Sequence, residues 1–394
     1  MEQFDVVVVG AGLAGLQTTR LLARRGVRVL LVDRKRTLED SVHTTGIFVR
    51  RTLEDFDLPE DCLGQPIRRV TLYSPARRAL AIESEHDEFR VGRMGRLYAR
   101  LLEDGLNAGA QWSPATRYVG LEDASGRRGS QVLLERGGLE RRVAARYVIG
   151  GDGARSRVAR DLGLDENREW IVGVEDVLEG ARLEGPPQFH CFIDPRIAPG
   201  YLAWVVHDGE ETHIGVGGYA ARFDAVRALE DFRAEMNVRF DFSRARRIER
   251  RGGRIPVGGV LRRIANARGL LVGDAAGAVS PLTAGGLDPC MRLSNLAASV
   301  VADCVAGGDE SALTRYSGEG FRARFVSRLW MRRLIASVRS PLLIEVACAL
   351  MRLPPFDALA RHIFFGRGSF PDCGLQTADC GLKRPCDSVV APAD

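Results

Sequence analysis

Two apolar runs near the start of the chain enclose a segment with a helical pattern. Val6–Val9 predicts a buried strand, the helical pattern extends to Gly26, and Val27–Val32 predicts a second strand that closes on Asp33. The sequence GAGLAG, residues 10–15, joins the first strand to the helix. This order of elements predicts a βαβ unit that binds a dinucleotide, and the alternative is a glycine-rich turn without a ligand.

Each position of this turn has a physical role in dinucleotide binding. Gly10 permits the tight turn, Gly12 lets the backbone approach a pyrophosphate, and Gly15 lets the helix pack closely on the strand. Ala14 lies in the same turn, where free N–H groups at the helix start face the phosphate charge. Asp33 is placed to accept hydrogen bonds from a ribose diol.

Short alternating runs in the middle of the chain predict antiparallel strands. The runs 67–73 and 79–83 flank a proline-containing turn and predict a hairpin inserted into the dinucleotide-binding lobe. Further short runs between Trp170 and Tyr219, separated by Pro-Gly and Asp-Gly turns, predict an antiparallel sheet. We expect these strands to form a lobe of their own.

The aromatic segment PGYLAW, residues 199–204, lies within the predicted antiparallel sheet. Strand alternation places Tyr201 with Ala203 on one face and Leu202 with Trp204 on the other. Tyr201 and Trp204 are therefore candidates for a substrate wall, and the alternative is that both belong to the core of the sheet.

Two more glycine motifs follow apolar strands later in the chain. The first is GGDGARS, residues 150–156, in which Asp152 and Gly153 bring the backbone close to a cofactor a second time. The second is GDAAGAVSPLTAGGL, residues 273–287, which opens a long helix. Asp274 is placed to bind a polyol hydroxyl, and the N–H groups at the new helix start can face a flavin carbonyl.

Five further residues are candidates for contact with a cofactor or its phosphates. Thr45 and Gly46 lie in a loop of small and polar residues that is expected to cross back over the cofactor ring. His43 in the same loop is either an acid or base or a surface histidine. Arg34 and Arg93 are each either a phosphate contact or a solvated side chain.

Composition excludes several classes of function. With 394 residues the chain is expected to form two or three lobes, and 45% hydrophobic and 27% charged residues are typical of a globular protein. Lys35 and Lys383 are the only lysines, so Schiff-base and P-loop chemistry are disfavoured. The net charge is only +5 and no aromatic and basic stripe is present, so we expect no nucleic-acid partner.

The two ends of the chain suggest where the protein works. The start runs directly into a strand without a secretory signal, so we expect a cytoplasmic protein with reduced cysteines. The tail 329–370 mixes apolar residues with Arg on helical spacing and either packs on the body or contacts an anionic membrane surface. Cys373, Cys380 and Cys386 lack a C-x-x-C pair, so we expect no metal.

Together the three glycine motifs resemble those of the FAD-dependent oxidoreductases of the glutathione-reductase-like class. This class includes aromatic-ring monooxygenases, flavin halogenases and geranylgeranyl reductases. The resemblance spans roughly residues 4–300 and implies that the first motif and its acid bind the ADP half of FAD. It further implies that the DG motif lies near the pyrophosphate and that the third motif binds the ribityl chain and the flavin through Gly273, Asp274, Pro281, Gly285, Gly286 and Leu287.

Within this class the aromatic segment is similar to the G-Y-x-W segment of the geranylgeranyl reductase group, which lines a substrate cavity. Two features depart from that group: Val205-Val206-His207 follows Trp204, and His43 stands near the place of a frequent cysteine. The W-x-W-x-I-P pattern of the halogenases is not met, and the middle of the chain has no lysine. Halogenation is therefore disfavoured.

These observations predict an α/β protein with a Rossmann-like FAD-binding domain around a parallel sheet, an inserted antiparallel-sheet substrate domain and a helical C-terminal region. The FAD-binding domain is expected to comprise residues 1–66, 90–165 and 255–310, and the substrate domain residues 67–89 and 166–254. The C-terminal region is expected to comprise residues 311–394. The leading hypothesis is reduction of a C=C bond in a small hydrophobic substrate by FAD with NAD(P)H as donor. The alternatives are an FAD-dependent monooxygenase acting on an aromatic or polyketide-like ring and a flavoprotein that only carries electrons.

Overall fold

The computed structural model describes residues 1–38, 42–123, 129–181, 183–307, 310–323, 325–353 and 356–366. Its strands are β1 (Gln3–Val9), β2 (Val29–Val32), β3 (Ile47–Val49), β4 (Leu63–Ile67), β5 (Arg69–Tyr73), β6 (Ala79–Glu83), β7 (Phe89–Gly92), β8 (Gln111–Ser113), β9 (Thr116–Asp123), β10 (Ser130–Arg136), β11 (Leu139–Gly150), β12 (Trp170–Glu179), β13 (Gln188–Phe192), β14 (Ala203–His207), β15 (Glu211–Gly218), β16 (Arg246–Pro256), β17 (Ala265–Asn266) and β18 (Gly269–Leu271). Its helices are α1 (Leu13–Arg24), α2 (Arg50–Asp55), α3 (Met94–Asn107), α4 (Arg157–Asp161), α5 (Ala225–Phe240), α6 (Leu287–Gly307), α7 (Gly318–Ala323), α8 (Val326–Ser337), α9 (Pro341–Leu350) and α10 (Phe356–Phe365).

An eight-stranded sheet forms the centre of the first layer. Its order is β17-β18-β11-β1-β2-β8, and the strands from β18 to β8 run parallel, while β10 and β9 continue antiparallel from β11. Val6, Val7 and Val8 of the central strand are fully buried. The central strand of this parallel sheet is buried on both faces, and α1 packs on it, which explains the unbroken apolar run in β1. The predicted parallel sheet is confirmed.

A seven-stranded sheet forms a second layer, with the order β16-β12-β15-β14-β13-β5-β6. All neighbours are antiparallel except β13 and β5, so the predicted antiparallel sheet is confirmed, with the predicted β5–β6 hairpin at its edge. One face packs against α5 through Leu229, Phe232 and Met236. The other face packs on the small sheet β3-β7-β4 and carries an apolar cluster.

The C-terminal helices complete the mixed α/β fold. Met351, Phe364 and Phe365 pack against the apolar cluster of the seven-stranded sheet, so part of the tail covers this face. In the part of the chain that the structure describes, every helix is too short or too polar to cross a membrane. Cys373, Cys380 and Cys386 lie outside the described residues. The domain boundaries given above stay a prediction.

Candidate cofactor and substrate site

The three glycine motifs meet where β1, β11 and β18 end. A Cβ atom built on Gly10 would lie 2.3 Å from the carbonyl oxygen of Gly151, and one on Gly151 would lie 3.3 Å from the amide nitrogen of Gly15. A Cβ atom on Gly273 would lie 2.7 Å from the Cβ of Ala14. Segments that are far apart in sequence therefore approach to backbone contact, and this approach requires glycine.

Open space at the start of α1 distinguishes Gly12 from its neighbours. A Cβ atom on Gly12 would meet no atom within 4 Å, whereas one on Gly15 would lie 1.8 Å from the carbonyl oxygen of Gly10. No side chain caps the N terminus of α1, and its first turn contains no acidic residue. A helix start with free N–H groups beside open space suits a phosphate.

The carboxylate of Asp33 holds the first glycine turn in place. Its Oδ2 accepts a hydrogen bond from the amide of Ala11 at 2.6 Å, and its Oδ1 accepts one from the amide of Lys35 at 2.8 Å. Arg34 between them is exposed. The roles of Asp33 with the ribose and of Arg34 with a phosphate stay predictions.

Asp152 of the second motif caps a helix. Its carboxylate accepts hydrogen bonds from the Ser156 hydroxyl at 2.6 Å and from the amides of Arg157 and Val158 at the start of α4. Burial raises the pKa of Asp152. Gly153 has φ +85°, and a Cβ atom there would meet nothing within 4 Å. In this motif the backbone of Gly153, rather than the Asp152 side chain, borders open space.

Asp274 of the third motif is a carboxylate without a hydrogen-bond partner among the described residues, and burial raises its pKa to about 6. Its Oδ1 would lie 3.7 Å from a Cβ atom on Gly286, just before the start of α6 at Leu287. The loop that carries Pro281 is closed by a hydrogen bond from the Ser280 amide to the Gly285 carbonyl at 3.0 Å. An acceptor without a donor suits the hydroxyl groups of a bound polyol.

These features fit FAD. The open start of α1 and the backbone at Gly153 suit the pyrophosphate, and the carboxylate of Asp274 suits the ribityl hydroxyls. The assignment of individual residues to parts of the cofactor stays a prediction.

A buried glutamate that sequence analysis did not single out connects the predicted flavin-side loop to the seven-stranded sheet. Glu175 on β12 accepts a hydrogen bond from the Thr45 hydroxyl and one from the Trp204 indole at 3.0 Å. Arg251 Nη1 lies 3.7 Å from the same carboxylate, and His213 Nδ1 lies 3.4 Å from it. Glu175 is only 3% exposed, so these partners replace its hydration.

The charges of this network stabilise one another. Burial alone would lower the pKa of His213, but Asp208 and Glu175 on its two sides outweigh burial and raise it to about 9. Burial alone would raise the pKa of Asp208, but the charge of His213, whose Nε2 lies 3.8 Å from Oδ2, and hydrogen bonds from the amides of Glu210 and Glu211 lower it to about 2. The pKa of Glu175 is lowered in the same way. At neutral pH the structure therefore holds an imidazolium between two carboxylates.

Tyr201 and Trp204 lie on the same face of the seven-stranded sheet, so the prediction of opposite faces was wrong. A Cβ atom on Gly217 would lie 2.7 Å from Tyr201 and 3.6 Å from Trp204. The reason is that β14 begins only at Ala203, after a turn in which Gly200 has φ +75°, so strand alternation does not extend back to Tyr201. The Tyr201 hydroxyl donates to the Thr283 carbonyl of the third motif at 2.7 Å.

Three other predicted residues lie around these groups. Gly46 has φ +83° and packs so tightly on Met94 that a Cβ atom would lie 2.6 Å from its Cγ. Partial burial and the charges of Lys35 and Arg34 lower the pKa of His43. Arg93 pairs with Glu210 at 2.7 Å, and its contact with a phosphate stays a prediction.

A sequence model of the FAD binding domain matches residues 3–332. The chain belongs to the FAD binding domain family. FAD is therefore its cofactor, and the protein is an FAD-dependent oxidoreductase. This agrees with the arrangement of the three glycine motifs.

Individual relatives indicate the part of the family to which the chain is similar. A protein of Methanoculleus marisnigri named digeranylgeranylglycerophospholipid reductase is 30% identical over 81% of this chain and 82% of its own length. A crystal structure from Thermoplasma acidophilum, described as geranylgeranyl bacteriochlorophyll reductase-like, has a TM-score of 0.81 at 20% identity and covers 96% of this chain and 100% of its own. The p-nitrophenol 4-monooxygenase of Pseudomonas putida has a TM-score of 0.68 at 16% identity, covering 98% of this chain and 100% of its own. The two structures show the shared fold.

Proposed function

We propose that the protein is a reductase that saturates C=C bonds of an isoprenoid-like lipid, with NAD(P)H as the electron donor. The similarity to a protein named digeranylgeranylglycerophospholipid reductase, 30% identical over 81% of the chain, carries this proposal. The fold is shared with monooxygenases and does not favour the reductase by itself. Bound FAD supplies the hydride chemistry, so the protein has to bind the substrate, orient it and exclude water.

The apolar cluster on the seven-stranded sheet supports a hydrophobic substrate. Tyr201, Leu202 and Trp204 belong to it or pack against it, together with Phe364 and Phe365 from the tail. Trp204 is 8% exposed and is fixed by its hydrogen bond to Glu175, so its ring presents a rigid apolar surface. A surface of this kind excludes water from a lipid chain that lies against it.

Both predicted candidates for acid or base chemistry, His43 and Tyr201, are neutral at neutral pH. His43 has a lowered pKa and is neutral at neutral pH, which suits a base or a hydrogen-bond donor better than an acid. The Tyr201 hydroxyl donates a hydrogen bond to the Thr283 carbonyl, and burial raises the pKa of Tyr201. We therefore assign Tyr201 an orienting role on the substrate wall.

Anaerobic single-turnover kinetics test the reaction. NADPH or NADH should bleach the oxidised flavin, and digeranylgeranylglycerophospholipid should then restore its colour while mass spectrometry detects a product that has gained two hydrogen atoms per double bond. Reoxidation that requires O₂, with an oxygen atom in the product, would instead establish a monooxygenase. Flavin reduction that no lipid reverses would favour an electron carrier.

Two tryptophan variants provide a matched comparison. Trp204→Leu should lower kcat/KM for the lipid about tenfold or more without changing flavin reduction by NAD(P)H, because a rigid aromatic contact is lost. Trp330→Leu changes a side chain that is 65% exposed on α8 and should leave both rates unchanged when the lipid is supplied in detergent, where membrane contact plays no part. Equal lipid kinetics in the two variants would remove Trp204 from the substrate wall.

An exposed apolar surface on α8 and α9 supports contact with a membrane that contains the lipid substrate. Its large side chains are all at least 47% exposed: Trp330, Leu334, Leu342, Leu343, Val346 and Leu350. Arg333 and Arg339 are exposed on the same segment and would complement an anionic leaflet. Vesicles with anionic phospholipid should bind the wild type more strongly than a Leu342→Glu/Leu343→Glu variant, and equal binding would refute the contact.

A further inference from the structure

Two arginines on α8 lack carboxylate partners among the described residues. Neither Arg328, which is half-buried, nor Arg332, which is only 3% exposed, forms an ion pair there. Within the same part of the chain, the Nε and Nη2 atoms of Arg332 have no hydrogen-bond partner. Burying a guanidinium without a counter-charge is costly, so its retention indicates an absent anion.

The surroundings of Arg332 do not replace an anion. Its guanidinium carbon lies 5.5 Å from the ring centre of Tyr201 and 5.1 Å from that of Tyr219. Cation–π contacts recover only part of the hydration that a buried guanidinium loses, and they leave its N–H donors without acceptors. The rings orient the guanidinium, and its buried Nε and Nη2 atoms have no acceptor among the described residues.

Arg328 extends the same site toward the third glycine motif. It precedes Arg332 by one helical turn, so both side chains project from the same side of α8. Arg328 Nη1 donates to the Ser280 hydroxyl at 3.0 Å, and burial lowers the pKa of Arg328. Two like charges on one side of a helix repel each other, and an anion between them would offset this repulsion.

We propose that Arg328 and Arg332 bind the oxyanion of a phosphate group on the substrate. Guanidinium groups match phosphate oxygens with paired N–H donors. Tyr201 connects this site to the apolar cluster, because its ring contacts Arg332 and also packs against that cluster. A lipid with its phosphate at the two arginines therefore has its hydrocarbon chain beside Trp204. This inference rests on the proposed lipid substrate and names the polar group of that substrate.

Equilibrium binding to the FAD-loaded protein tests the site without turnover. The probes are geranylgeranyl phosphate, geranylgeraniol with the same chain but no phosphate, and inorganic phosphate. The wild type should bind the phosphate ester at least about 30-fold more tightly than the alcohol, equivalent to about 2 kcal/mol for a buried charged contact. Equal affinity for ester and alcohol would overturn the proposal. Competition by inorganic phosphate at the same concentration as the ester would assign the site to free phosphate and overturn the lipid assignment.

Charge-matched variants identify the residues. Arg332→Gln and Arg328→Gln should each abolish most of the preference for the phosphate ester, whereas Arg227→Gln, the same charge change at an exposed position of α5, should retain it. The Tm of the ligand-free Arg332→Gln variant should equal or exceed that of the wild type, because an unpaired buried charge is removed. A preference that survives in Arg332→Gln would refute the assignment. Arginine-dependent binding without reduction of any double bond would refute the proposed reaction and leave this site intact.

Discussion

The buried imidazolium of His213 makes a prediction about stability that needs no substrate. Its pKa is about 9 in the folded protein, against an ordinary value of 6.5. A raised histidine pKa stabilises the folded state fully below pH 6.5, and this stabilisation is lost as the pH rises through 9. We therefore expect the free energy of unfolding to fall across the weakly alkaline range.

The size of the fall follows from the two pKa values. The stabilisation depends on the ratio of proton binding in the folded and unfolded states, which gives about 3 kcal/mol at pH 7 and about 1 kcal/mol at pH 8.5. Unfolding of the FAD-free protein by urea should therefore require about 2 kcal/mol less at pH 8.5 than at pH 7. Buried cysteines such as Cys191 stay protonated while unfolded thiols begin to ionise near pH 8.5, so they add to the fall, and the part due to His213 is the difference between the wild type and His213→Gln.

A second buried histidine provides the control. His190 has a pKa lowered by burial to about 4, so it is neutral in both states above pH 7. His190→Gln should therefore keep the wild-type pH dependence between pH 7 and 8.5, whereas His213→Gln should lose it. NMR titration of carbon-13-labelled histidine measures the pKa directly. A His213 resonance that titrates below pH 7, or identical pH dependence in wild type and His213→Gln, would refute the buried ion triad.

Further predictions concern the glycine motifs and the sheet. Gly12→Val should leave the Tm of the FAD-free protein nearly unchanged but weaken FAD binding about tenfold or more in a fluorescence titration, because the new side chain occupies the open space at the start of α1. Gly15→Ala should instead lower the free energy of unfolding by about 2 kcal/mol or more, since its Cβ would overlap the Gly10 carbonyl. Asp274→Asn should stabilise the FAD-free protein at pH 7 by as much as about 3 kcal/mol in urea unfolding, because the wild type loses stability as the pH rises from 3.8 through 6. Gly215→Ala should shift the Trp204 fluorescence and destabilise the protein, because the new methyl group would overlap the indole.

The sequence predicts those parts of the fold that depend on local pattern. The apolar run in β1 and the glycines after it indicated the parallel sheet. A strand that is buried on both faces appears in the sequence as an unbroken apolar run, and a turn without room for Cβ atoms appears as a group of glycines. The helix-capping contacts of Asp152 could not be predicted from its motif, since they depend on how the next helix begins, and its contact with the cofactor stays a prediction. Local hydrogen bonds of this kind compete with any contact to a ligand.

Contacts between residues on neighbouring strands are harder to predict from the sequence, because they depend on the register of the strands. Glu175 lies opposite Gly215 on the neighbouring strand, and His213 is two residues from Gly215 on the same face. A glutamate and a histidine at these positions of otherwise apolar strands indicate a buried pair once the register is known. The register itself depends on the pairing of whole strands across the sheet. The buried arginines of α8 are similar, because helical spacing does not reveal that carboxylates are absent around them.

Gly215 explains how the sheet can present an aromatic surface and an ion network on one face. Trp204 and Glu175 lie on the strands on either side of it, each opposite Gly215 in register. A Cβ atom on Gly215 would lie 2.2 Å from the indole, so only glycine lets the ring lie across the strand and donate to Glu175. The same carboxylate accepts the Thr45 hydroxyl, so the predicted flavin-side loop is fixed to the group that orients Trp204. A change in the charge of this network would therefore alter the loop and the aromatic wall together.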